Sequence, residues 1–124
     1  MGGNALSSAS VRLTAKNYER MASECVAKLR ALYPTGRIEA IESYRAKAEH
    51  GDLDLLISAD DYEPYRAAAA LGAVEVVRNG PVTSVGIIVR PEVPHRAGNM
   101  FQVDFIKTSV EEFDYASQYY SYIH

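Results

Sequence analysis

Apolar positions recur along the chain with two different periods, and the switches between them mark out its elements. Tyr18, Met21, Ala22, Cys25, Val26, Leu29 and Leu32 repeat at spacings of three and four. That is one face of an amphipathic helix of about four turns. Thr14 suits its N-cap, and Pro34 with Gly36 ends it. Before it, Met1 to Leu13 is small and polar, a loop with a short strand near Val11 to Leu13. After it, Arg37 to Ile41 alternates as a short strand. Leu53 to Ile57 is an apolar run broken only by Asp54, the pattern of a central strand buried on both faces. Asp60 or Asp61 is expected to cap a second helix, with Glu63 in its first turn. This helix runs through Ala67 to Ala70 and stops at Gly72. Val74 to Arg78 and Ser84 to Val89 form a hairpin about an Asn79-Gly80 turn. Pro91, Pro94 and Gly98 mark a loop, Met100 to Ile106 a further strand, and Val110 to Tyr122 an aromatic-rich helix.

The order helix, strand, strand, helix, hairpin, strand, helix predicts an α+β fold, a mixed sheet of about five strands with flanking helices. With 124 residues the chain is expected to form one domain, 1–124. Hydrophobic residues make up 48% and charged residues 23%, values that exclude wholesale disorder. Thirteen basic against sixteen acidic residues leave a net charge of −3, which argues against a strongly basic nucleic-acid-binding surface. One cysteine cannot form an internal disulfide. The longest uncharged run, Asn79 to Val89, is too short to span a bilayer. A soluble cytoplasmic protein without a membrane partner is therefore expected.

The acids inside apolar strands change the picture. Asp52 and Asp54 are two apart, so a strand puts both on one face. Their neighbours are apolar, and two such carboxylates repel unless a cation compensates. Asp104 repeats the theme within Phe101-Gln102-Val103-Asp104-Phe105-Ile106. If its strand lies beside Leu53 to Ile57, three carboxylates converge. Such a set suits Mg²⁺, a hard ion that takes carboxylates, waters and substrate phosphates. It can hold two ions about 4 Å apart, one activating a hydroxyl and the other holding a triphosphate. Upstream, Ser43 opens a polar turn whose hydroxyl and backbone N–H groups could receive phosphate oxygens, and Arg45 and Lys47 could neutralise a triphosphate. Ser43 equally fits an ordinary turn residue, and Arg45 and Lys47 a solvated face. His50, His95 and His124 are too scattered for a zinc site, and Cys25 lies on the helix's apolar stripe.

Ser43-Tyr44-Arg45, then Gly51-Asp52-Leu53-Asp54-Leu55-Leu56-Ile57, then Val103-Asp104-Phe105, resembles the DNA-polymerase-β-type nucleotidyltransferase superfamily. Its pattern is Gly-Ser, a spacer, Asp-x-Asp in a strand and a third Asp in a later strand. Gly2-Gly3-Asn4-Ala5-Leu6 and Ser43-Tyr44-Arg45-Ala46-Lys47 are also similar to nucleotidyltransferase-like proteins encoded by bacteriophages. The resemblance covers roughly Ile38 to Ile106. It implies a nucleotidyltransferase-like core in which Asp52, Asp54 and Asp104 are the catalytic and metal carboxylates. Ser43, Arg45 and Lys47 bind the nucleotide, and Asp104 is also the base for the acceptor hydroxyl. The implied activity is Mg²⁺-dependent transfer of an NMP from an NTP, such as ATP, to a hydroxyl of RNA, protein or a small molecule, with release of pyrophosphate.

Two departures bear on this. Glu42 stands where the family has glycine, and a carboxylate there repels phosphate unless it points away. Superfamily enzymes usually carry a further helical domain, whereas this sequence ends in Tyr119-Tyr120-Ser121-Tyr122-Ile123-His124 within a helix pattern, as expected of either a minimal member or a truncated catalytic core. The alternative is a catalytically degenerate module of the same fold that binds nucleotide or a partner. A third role is assembly, with the aromatic C-terminal helix driving homo-oligomer formation.

Overall fold

The computed structural model describes residues 6, 13–41, 49–89 and 100–113. Ser43, Arg45 and Lys47, the loop through Pro91, Pro94 and Gly98, His95, and most of the expected C-terminal helix with its tyrosines and His124 lie outside them. Among the described residues the fold is α+β, two helices on a five-stranded mixed sheet.

β1 (Leu13–Thr14) leads directly into α1 (Ala15–Leu32). Thr14 caps α1 as expected, its hydroxyl accepting from the Asn17 N–H at 3.4 Å. The predicted stripe faces inward: Tyr18, Cys25 and Leu29 are buried, and Met21, Ala22, Val26 and Leu32 pack against the same core. The chain turns at Tyr33-Pro34 into β2 (Arg37–Ala40). β3 (Glu49–His50) pairs antiparallel with β1 as a separate two-stranded ribbon and runs on into β4 (Asp52–Ser58).

The start of α2 (Pro64–Ala70) corrects the expected cap. Asp60 and Asp61 lie in the preceding turn, and Glu63 is itself the N-cap, its carboxylate accepting from the Tyr65 and Arg66 N–H groups at 3.3 and 3.0 Å. Pro64 is the reason. It takes the first helical position, where no N–H is needed, and holds the residue before it extended, which is the conformation of a cap. Glu63 adopts φ −140° and ψ 118° accordingly. The Tyr33 hydroxyl accepts from the Glu63 N–H at 3.1 Å, tying this cap to the end of α1. At the other end Gly72 takes φ +70°, and the Ala73 and Gly72 N–H groups reach back to the Ala68 and Ala69 carbonyls. That closing pattern needs a left-handed residue, which glycine supplies without steric cost.

β5 (Glu75–Asn79) and β6 (Val82–Ile88) form the expected hairpin, with its turn one residue later than the sequence pattern suggests. Asn79 pairs with Val82, so Gly80 and Pro81 make the turn. Gly80 supplies the positive φ (+65°) of the first central position, which Pro81 could not adopt. β7 (Met100–Lys107) completes the sheet.

The strand order is β2-β4-β7-β6-β5, with β4 and β7 parallel and the other pairs antiparallel. β4 and β7 are therefore central, which explains their apolar runs: Leu53, Leu55, Leu56 and Ile57 are fully buried, as are Phe101, Val103 and Phe105. Odd-numbered residues of both strands join α1 and α2 in the main core. Even-numbered residues face the other side. There Leu56 and Ile106 pack with Ile41 and Phe113, and the Arg37 guanidinium lies 4.1 Å from the Phe113 ring centre.

Candidate metal centre

The even face of the sheet can be followed strand by strand. Ile41 donates its N–H to the Asp54 carbonyl, Asp54 lies opposite Asp104, and Asp104 opposite Ser84. One step toward the start of β4, Asp52 lies opposite Gln102, and Gln102 opposite Gly86. Parallel pairing of β4 with β7 at this register joins two acids on one face of β4 to a third on β7. A shift of one residue would turn Asp104 to the helix side.

The result is a cluster in which carboxylate oxygens of Asp52, Asp54 and Asp104 all lie within 4.8 Å of one another. Asp104 is buried at 5% exposure, and the other two are half-buried. Such a set could hold a metal ion. Its electrostatics fit a cation. Burial raises the Asp54 carboxyl, and the charges of Asp52 and Asp104 raise it further, from 3.8 to about 7. Unlike a lone surface acid, this group holds a proton into the neutral range, and a cation entering the cluster would replace it.

Two further residues belong to this neighbourhood. The Gln102 side-chain amide donates to Asp104 Oδ1 at 2.9 Å, with both groups buried. Tyr18, buried on α1, has its phenol pushed up to about 12, by burial first and then by Asp54 and Asp52. A phenol so placed remains protonated and acts only as a donor toward carboxylates. The sequence pattern contained one signal for Gln102: it stands two residues before Asp104 and so shares its face. Tyr18 gave none, because an apolar stripe accounts for it fully.

A separate shallow groove lies between α1 and the edge strand β2, lined by Ala22, Ser23, Val26, Ala27, Arg30, Glu39 and Ala40. Its one cationic group is committed to the fold, since the Arg30 guanidinium donates twice to the Ile38 carbonyl at 2.9 and 3.2 Å. None of the three aspartates lines it. Among the described residues no helix is long and apolar enough to cross a membrane. Comparison with protein-family models and with curated proteins gave no match to this chain.

Proposed function

We propose that the chain is a nucleotidyltransferase that moves a nucleoside monophosphate from an NTP to an acceptor hydroxyl and releases pyrophosphate. One observation carries this: Asp52, Asp54 and Asp104, from two parallel neighbouring strands, present carboxylate oxygens within 4.8 Å of one another. The order of these acids along the chain, two on one strand and one on a later strand, is the one the resemblance implies.

In this account Asp52, Asp54 and Asp104 hold Mg²⁺. When bound, Mg²⁺ supplies charge neutralisation for the triphosphate and a lowered pKa for the attacking hydroxyl. Asp104 takes the proton of the acceptor hydroxyl as its oxygen bonds to the α-phosphorus and the bond to pyrophosphate breaks. Its burial keeps competing water from the base. Ser43 receives phosphate oxygens, and Arg45 and Lys47 offset the remaining triphosphate charge. The acceptor is a hydroxyl of RNA, of a protein or of a small molecule.

Glu42 favours the second reading, a nucleotide-binding module without turnover. Label transfer from each α-³²P-NTP, with Mg²⁺, into total RNA and total protein separates the two. Label that requires Asp52, and is absent with Asp52→Asn, is the expected result and identifies the acceptor class. Nucleotide binding by a folded preparation with no label in any pool and no pyrophosphate release overturns the transferase and leaves the binding module.

A further inference from the structure

Gln102 is 1% exposed, in a central strand, and carries a primary amide where its neighbours on the opposite face are Phe101 and Val103. A buried amide costs stability unless it is hydrogen-bonded, so a buried partner bears on what it is for. One such partner is Asp104, whose Oδ1 accepts from the Gln102 amide nitrogen at 2.9 Å. The amide nitrogen is the donating end of the side chain and so lies on the Asp104 side. Gln102 also stands opposite Asp52 across β4 and opposite Gly86 across β6. The absence of a side chain at Gly86 matters, because a Cβ there would run into the Met100 side chain and come within 3.1 Å of Leu6 Cδ1. Apolar groups thus fill the space on the β6 side of Gln102, with Asp52 opposite it on β4 and Asp104 two residues along its own strand.

We propose that Gln102 is a positioning residue for the metal centre: its amide fixes the plane of the Asp104 carboxylate so that all three acids address one cation, a role that rests on the metal-centre function proposed above. The side-chain type fits this task. An amide donates without bringing charge. A glutamate here would add a fourth carboxylate to the cluster, and a lysine would neutralise it and compete with the cation.

The test is Mn²⁺ binding to the full chain, followed by electron paramagnetic resonance of free and bound ion, for wild type, Gln102→Met, Gln102→Asn and Asp104→Asn. Methionine keeps the volume and removes the donor, whereas asparagine keeps the amide but is too short for the 2.9 Å bond. Either variant, folded by circular dichroism, should bind Mn²⁺ about 10- to 100-fold more weakly than wild type, the usual effect of losing an outer-shell partner. Asp104→Asn should abolish the binding. A purely structural Gln102 would lower the thermal midpoint and leave Mn²⁺ affinity unchanged. Wild-type affinity in a folded Gln102 variant, with Asp104→Asn inactive, therefore overturns the positioning role and spares the metal centre. Failure of wild type itself to bind Mn²⁺ overturns both.

Discussion

Asp54 and Asp104 stand directly opposite each other in the parallel pairing of β4 with β7. Like charges at one register are costly unless a proton or a cation offsets them. Asp52 and Asp104 help burial hold Asp54 protonated up to about pH 7. The cation-free site and the cation-loaded site are therefore two protonation states of one cluster, and they respond to pH in opposite ways.

Without divalent ions, stability should fall as pH rises from about 4 to 7. Below 3.8, Asp54 is protonated in both folded and unfolded chains. Between 3.8 and about 7 the unfolded chain has released that proton while the folded chain keeps it, so each step up in pH favours unfolding. The contribution is fully lost once pH passes the folded value. Urea unfolding in EDTA at pH 5 and pH 8 measures this. Asp54→Asn, which cannot titrate, should show a shallower decline, and identical slopes in the two proteins would refute the assignment.

Divalent ions should reverse the trend. At 100 times its Kd, Mg²⁺ should stabilise the fold by about 2.7 kcal/mol, roughly 10 °C in midpoint for a domain of this size. At one fixed Mg²⁺ concentration the gain should be larger at pH 8 than at pH 5, because the ion competes with the Asp54 proton. Asp54→Asn and Asp104→Asn should each lose it. Thermal melts with Mg²⁺ and with EDTA give the answer, and an equal Mg²⁺ shift in the variants would place the ion elsewhere.

Much of this arrangement was legible from the chain. The stripe from Tyr18 to Leu32 and the run Leu53 to Ile57 each obey one period, and each folded accordingly. Asp52 and Asp54 announced a shared face because strand geometry fixes it locally. Their meeting with Asp104 was conditional, since strand order depends on long-range pairing that local spacing does not encode. The α2 cap went to Glu63 rather than Asp60 or Asp61 because Pro64 fixes the helix start more firmly than side-chain preference does. Gln102 and Tyr18 became visible only with the pairing, for polarity in a strand and an aromatic on an apolar stripe each have an ordinary explanation.

Close approach of the chain to itself makes Gly36 harder to replace than Gly86. A Cβ at Gly36 would lie 2.7 Å from the Ala59 Cβ and 2.8 Å from the Ser58 carbonyl oxygen, neither of which can swing aside. Gly36→Ala should cost about 1–3 kcal/mol by overpacking. At Gly86 the obstacle is the mobile end of Met100, so Gly86→Ala should cost less. Urea midpoints for the two variants test the ranking, and the reverse order would contradict it.

Cys25 should be inert in the folded protein. It is 3% exposed, and burial pushes its thiol up to about 11, with Lys28 opposing the rise and Glu24 adding to it. At pH 8 a disulfide reagent should therefore label it only as fast as the chain opens, and urea should accelerate labelling in step with unfolding. Immediate labelling of the native protein would show that the α1 stripe is not packed as described.

The proposed transfer chemistry requires that Asp52, Asp54 and Asp104 jointly hold a cation. Crystals of the full chain soaked in Mn²⁺ and measured at the manganese edge answer this directly. An anomalous peak about 2.1–2.2 Å from oxygens of all three aspartates is the expected result. No peak among them, with Mn²⁺ bound elsewhere or nowhere, would contradict the metal centre and with it the proposed transfer chemistry.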